Sequence, residues 1–223
     1  MTLKLFVSAI IKFALGVALV GLLMFLPAGS LAFWQGWLLM GTLFVPMCIA
    51  GIVMMCVNPY LLSKRLDAKE KMQDQSVVVK LSGLMFLGGF VVAGLGYRLD
   101  WYVLPAWVSL AATVLFLIAY AFYAEVLREN TYLSRVIEVQ EGQKVVDTGL
   151  YGVVRHPMYA ATLLLFLAMP LMLGSVYALM IFLLYPLIIA KRIRGEEALL
   201  VKELDGYDAY RKKVKYRLIP FIW

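Results

Sequence analysis

Gly149-Leu-Tyr151-Gly-Val-Val-Arg155-His156-Pro157-Met158-Tyr159-Ala-Ala-Thr-Leu-Leu-Leu-Phe-Leu-Ala-Met-Pro170 joins two kinds of sequence. Its first half is a glycine-punctuated polar turn that holds the only histidine of the chain beside an arginine. Its second half is an unbroken apolar helix. Proline is tolerated at the first position of a helix, where its missing N–H costs nothing, so Pro157 marks the helix start. The helix then points its positive end at whatever the polar half faces. Arg155 adds to that field, which favours a carboxylate or a phosphate. Tyr151 and Tyr159 flank the entrance with aromatic faces suited to a purine or a cation. The residue chemistry leaves two readings equally open, a cofactor site and a charged anchor at the membrane surface.

Outward from this stretch, the chain is apolar. Of its 223 residues 63% are hydrophobic and 16% charged, against roughly 45–50% and 25% in soluble domains. The expected class is all-α, a multi-pass transmembrane helical bundle forming a single domain over 1–223. Six apolar segments stand out: 5–26, 33–57, 81–97, 104–124, 158–173 and 175–190. The first four approach the ~20 residues that a crossing needs and form an N-terminal unit over 1–124. The last two are shorter and meet near Pro170 and Gly174, as a tight helical hairpin. Five or six spans are therefore expected.

Charge sets the expected orientation. Of the 21 Lys and Arg, 19 lie at the N-terminus, in 58–80, in 125–157 or after 190. Lys12 sits inside the first span, near enough to its start to snorkel, and Arg98 falls in a segment that alternation puts outside. Six crossings with both termini in the cytosol gather every basic cluster on the cytosolic side. The +7 net charge then reads as orientation and attraction to lipid headgroups, so no nucleic-acid partner is expected. Trp34, Trp37, Trp101 and Trp107 fall at the opposite ends of spans, as an aromatic belt. Cys48 and Cys56 share one apolar run and suggest packing rather than a disulfide. A lone histidine argues against a histidine-based metal centre. No cleavable signal peptide is expected at the long first apolar run.

Two polar segments remain on the cytosolic side, and both are too patterned to be simple connectors. In the 125–157 linker, Val136-Ile-Glu-Val139 and Lys144-Val-Val146 flank Glu141-Gly142, which reads as a β-like turn or an extended loop. In the tail after Lys191, Arg192 and Glu196 share a helix face, and a salt bridge is their default role. Leu199, Leu200 and Leu204 continue the apolar stripe until Asp205-Gly206 ends the helix. Tyr207-Asp-Ala-Tyr210-Arg-Lys-Lys213 begins a second short amphipathic segment.

Taken together, Gly149-x-Tyr151-x-x-x-Arg155-His156-Pro157-x-Tyr159, a hairpin, Arg192-x-x-x-Glu196-Glu197-x-x-Leu, Gly206-x-x-x-Tyr210 and Arg217-x-x-Pro220 resemble the isoprenylcysteine carboxyl methyltransferase and phospholipid methyltransferase group. The resemblance covers about residues 125–220. It implies an integral membrane enzyme that uses S-adenosylmethionine in a pocket built from the 125–157 linker and the C-terminal tail. It further implies that Tyr151, His156, Pro157, Met158 and Tyr159 line the cofactor pocket. Gln143, Lys144, Val145 and Val146 form a second contacting strip, with Gln140 beside it, although the spacing here is shorter than in the eukaryotic enzymes. Glu196 is expected to bind the cofactor. Arg192 is expected to face the acceptor and pair with its carboxylate.

That residue set suits methyl transfer. A sulfonium methyl is already activated and a carboxylate is already a nucleophile, so the protein needs only to align them and exclude water. The expected acceptor is an isoprenylcysteine-like or other lipophilic carboxylate, drawn from a lipidated or lipid-like partner in the membrane. A phospholipid amine or a small thiol is the alternative within the group. An NADPH-dependent membrane reductase of the sterol type, or a non-catalytic scaffold or transporter subunit, is the alternative outside it. Almost no ionisable residue sits mid-membrane, which speaks against a transporter.

Overall fold

The order and facing of the helices follow from a chain too greasy to expose its backbone in lipid. The computed structural model describes residues 3–66, 73–134 and 136–223; Lys69, Lys71 and Arg135 of the basic clusters lie outside the described residues. The helices are α1 (Leu3–Ala28), α2 (Trp34–Val57), α3 (Pro59–Leu66), α4 (Gln73–Arg98), α5 (Ala106–Glu129), α6 (Pro157–Met172), α7 (Val176–Phe182), α8 (Tyr185–Glu203) and α9 (Tyr207–Lys213). No strand occurs among the described residues, so the all-α multi-pass bundle expected from the sequence is the architecture observed.

Among the described residues five helical segments are long and apolar enough to cross a membrane: α1, α2, the part of α4 from Gln75, α5 and the joined α7–α8 stretch Val176–Glu203. Helix α6 has 16 residues, or ~24 Å, which is short of a ~30 Å hydrocarbon core. The hairpin is thus unequal. Its second arm continues 13 residues beyond the apolar run that ends at 190, because hydropathy ends where charge begins while the hydrogen-bond ladder runs on to Glu203. For the same reason α4 begins at Gln73 rather than at 81. Pro186, at the start of α8, lacks the N–H that would continue the α7 ladder, and the helix breaks at Leu183–Leu184.

The two ends of the bundle are well defined. At one end Leu104 donates its N–H to the Gly174 carbonyl at 2.8 Å, and Val103 bridges Ser175. Trp37 lies at the same end and donates its indole N–H to the Leu31 carbonyl at 2.8 Å. At the other end Lys12 donates to the Leu66 carbonyl at 2.7 Å, so its ammonium reaches the end of α3 instead of staying among lipid tails. Cys48 and Cys56 are exposed free thiols on the outer surface of α2. Leu15, Leu19, Leu22, Ile49, Val114 and Ile118 are exposed as well, which is the surface a bilayer covers.

Helix α4 is the hub. It packs along α1 and also against α7 and α8, while α5 packs along α6. Small residues make these approaches possible. A Cβ on Gly94 would stand 2.4 Å from the Met24 carbonyl oxygen of α1, and one on Gly89 would stand 2.3 Å from the Phe182 ring. Close backbone approach at small residues is how helices associate where lipid is as apolar as leucine. Phe86 contacts Phe166 edge-on at 4.8 Å and Phe182 at 5.4 Å, and Phe166 contacts Tyr185 at 4.8 Å. These rings close the interior between α4, α6, α7 and α8.

Gly94→Leu is expected to push α1 off α4 and to cost about 1–3 kcal/mol or more. The check is a lowered thermal unfolding temperature of the detergent-solubilised protein relative to Gly41→Leu, since a Cβ at Gly41 meets nothing within 4 Å.

Candidate active site

Three segments far apart in sequence are joined before any pocket exists. The Arg155 and His156 N–H groups donate to the carbonyls of Tyr216 and Arg217, both at 2.9 Å, which pins the entrance of α6 to the C-terminal tail. The Arg155 guanidinium then donates through Nε to Glu197 Oε1 at 2.7 Å and through Nη1 to the carbonyls of Val214 (2.8 Å) and Lys215 (2.9 Å). Glu197 also receives Arg217 Nε at 2.8 Å and lies 3.2 Å from His156 Nε2. Arg155, His156 and Glu197 are all buried. A buried carboxylate is tolerable only when it is paired and hydrogen-bonded in this way.

Upstream, the linker is anchored at two places. The Glu129 carboxylate accepts the Leu150 N–H at 3.0 Å and caps the tight turn Gly149–Gly152. Gly149 has φ +53°, and a Cβ there would fall 1.8 Å from Glu129 Oε1, so only glycine fits. Asn130 Nδ2 donates to the Tyr151 hydroxyl at 3.0 Å, while the Tyr151 carbonyl accepts the Tyr210 hydroxyl at 2.7 Å. Helix α3 holds the other side. Lys64 pairs with Glu138 at 2.7 Å, Tyr60 donates to Gln140 Oε1 at 2.9 Å, and Arg65 lies near the Ser134 carbonyl. The 136–146 stretch is an extended loop that turns at Gly142 (φ +72°), with Gln143 N–H donating to the Gln140 carbonyl. Of the two alternatives open in the sequence, the loop is the one that forms.

These anchors surround a cavity of about 810 Å³, including its open mouth. Of the residues expected at a cofactor site, Gln143, Lys144, Val145, Val146, Tyr151, His156, Met158, Tyr159 and Glu196 line it, and Arg192 lines it too. Two of the expected residues are elsewhere. Gln140 is buried behind the loop, with its Oε1 on Tyr60 and its Nε2 on the Tyr132 carbonyl at 2.5 Å, so its amide ties the loop to α3. Pro157 is buried at the α6 start and forms no part of the cavity wall. Both support the wall from behind.

Inside the cavity, the Tyr159 hydroxyl donates to Glu196 Oε2 and accepts from Arg192 Nε at 3.2 Å. Glu196 and Arg192 are thus linked through one phenol. One layer deeper, Tyr185 donates to Thr162 Oγ1 at 2.9 Å. The wall also includes residues given no site role from the sequence: Asn130, Tyr132, Leu200, Leu204, Tyr207 and Tyr210. Tyr207 and Tyr210 carried a signal, an aromatic pair on a short amphipathic segment. Burial pushes the Tyr207 hydroxyl up from its ordinary value, and the charges of Glu197 and Glu196 add to the shift. Burial likewise raises Tyr151 and Tyr210. These phenols stay protonated; Tyr210 donates, while the Tyr151 hydroxyl accepts from Asn130. The Tyr207 hydroxyl is buried and has no hydrogen-bond partner among the described residues, an orphaned donor of the kind that a polar ligand satisfies.

The comparisons with known proteins agree with the region these residues occupy. Residues 106–205 match the family described as phospholipid methyltransferase. The chain is also 33% identical over 90 residues to a Delta(14)-sterol reductase of Mus musculus. That similarity covers 39% of this chain and only 22% of the relative. Among the described residues no group of His, Cys, Asp and Glu is arranged to hold a metal ion.

Arg155→Met keeps bulk but removes the partner of buried Glu197 and the donor to two tail carbonyls. A loss of about 3–5 kcal/mol is expected, read as a lowered unfolding temperature together with earlier proteolysis of the segment after Lys213.

Proposed function

We propose that this protein is a membrane methyltransferase that uses S-adenosylmethionine and methylates the carboxylate of a lipophilic acceptor. The observation that carries the proposal is the cavity itself. Ten of the twelve residues expected from the family resemblance converge on its wall, within the segment that matches the methyltransferase family. The lining suits the cofactor's chemistry: a carboxylate in Glu196, aromatic faces in Tyr151, Tyr159 and Tyr207, and an orphaned phenolic donor.

When bound, S-adenosylmethionine supplies a methyl group already activated on a sulfonium. The protein's own residues hold, orient and dehydrate. The loop strip Gln143–Val146 and the α6 entrance both line the cavity, and Glu196 adds negative charge to the same wall. Arg192 presents a guanidinium that suits a carboxylate bidentately. Tyr159 fixes Arg192 relative to Glu196, so the acceptor side and the cofactor side of the cavity share one anchor. A carboxylate acceptor needs no proton removed, so the reaction does not call on a base. The basic residues around this end of the bundle, by the positive-inside rule, support a cytosolic site with both termini on the same side.

The similarity to the sterol reductase supports a second reading, in which the same end of the bundle holds a nicotinamide cofactor for a membrane reductase. Titration of the purified protein with S-adenosylmethionine and with NADPH separates the two.

Transfer of labelled methyl to membrane extracts, with the product sorted as base-labile ester, lipid amine or volatile thioether, tests the acceptor. An ester is expected. Glu196→Ala is expected to weaken S-adenosylmethionine binding by about tenfold or more. Arg192→Ala should leave that binding within about twofold and remove turnover. Normal turnover in Arg192→Ala would refute its acceptor role.

A further inference from the structure

His156 lies between two adjacent glutamates of α8. Its Nε2 is 3.2 Å from Glu197 Oε1, and its Nδ1 is 4.0 Å from Glu196 Oε1. The ring stacks on Tyr159 with centroids 5.7 Å apart and planes 30° apart, so it cannot swing freely between the two. The two carboxylates differ in everything else. Glu197 is buried, lies outside the cavity wall, and is held from both sides by Arg155 and Arg217. Glu196 lines the cavity, and its other oxygen accepts the Tyr159 hydroxyl.

A carboxylate fixed by two guanidinium groups is ionised and can only accept. The contact at Nε2 therefore requires a proton on that nitrogen. In a neutral imidazole the second nitrogen is then a bare acceptor, and the partner of one ring nitrogen decides the role of the other.

The geometry points to Glu197 as a positioning residue. It locks the only histidine in the Nε2–H tautomer, so that Nδ1 and Glu196 Oε1 form a two-acceptor notch in the cavity wall for an ammonium or another N–H donor. A donor placed between acceptors 4.0 Å apart reaches both at ordinary hydrogen-bond length. Arg155 and Arg217 hold Glu197, Glu197 holds the ring, and the ring meets the ligand. The ammonium part of this inference rests on the methyltransferase reading, because S-adenosylmethionine carries an α-ammonium group. The tautomer part does not.

A single histidine gives a single imidazole, so nitrogen NMR of full-length protein labelled at histidine reads the tautomer directly. Without ligand, at a pH where the ring carries a single proton, a protonated Nε2 and a bare Nδ1 are expected. A single proton on Nδ1 overturns the proposal. This measurement uses the wild type, so it holds even where a Glu197 variant fails to fold. Where Glu197→Gln folds, it should give mixed tautomers and bind S-adenosylmethionine about tenfold more weakly; an unchanged tautomer overturns the role of Glu197. The wild type should also bind S-adenosylmethionine about tenfold more tightly than its analogue lacking the α-amino group. Equal binding of the two overturns the notch. The expected tautomer without any methyl transfer would refute the methyltransferase reading and leave the positioning role standing.

Discussion

The buried Glu197 carboxylate is the contact on which the polar half of this protein depends. It joins Arg155 and His156 from the linker and Arg217 from the tail to a helix that rises out of the membrane. Without it, two guanidinium groups would face each other across a buried space, and the backbone pairing of 155–156 with 216–217 would have to hold against their repulsion. Buried ion pairs add little to net stability against an apolar equivalent, but they are costly to break and they fix register. Here the register is that of three chain segments around one cavity. Arg155 and His156 are held in place by Glu197 directly.

The membrane half follows a different logic. Water is absent, so helix association rests on close packing rather than on the removal of apolar surface. Gly94 lets the α1 backbone and Gly89 lets the Phe182 ring of α7 come close to α4, and the rings of Phe86, Phe166 and Phe182 fill the interior that results. The two halves meet along α8. Its first turns carry Tyr185 among those rings, while its last turns carry Arg192, Glu196 and Glu197 into the cavity and behind it. One continuous helix thereby sets the distance between the lipid-embedded core and the polar site.

The short reach of α6 belongs to the same arrangement. Because it begins at Pro157 beside the cavity and ends at Met172, it brings His156 and Tyr159 to the cavity without adding a full-length crossing. The loop over 136–146 is a wall only because α3 holds it through Lys64 and Tyr60. A short amphipathic helix on the same end of the bundle as the linker is therefore part of the site, although none of its residues lines the cavity.

The sequence by itself determined the class, the expectation of five or six crossings against the five described, and the helix start at Pro157. These are local or compositional properties: apolar run length and a proline that fits only a first turn. Ten residues of the cavity wall were expected as well, from a family resemblance rather than from spacing. The sequence also drew attention to Arg155-His156 as a polar entrance, but not to what those residues hold. Only the tertiary structure decided that Gln140 and Pro157 stand behind the wall, that Tyr207 and Tyr210 complete it, and that Glu197 rather than Glu196 binds the arginines. The two glutamates are adjacent in sequence, and a helix turns ~100° between neighbours. One therefore faces the cavity and the other faces the tail, and which is which depends on packing that no spacing records.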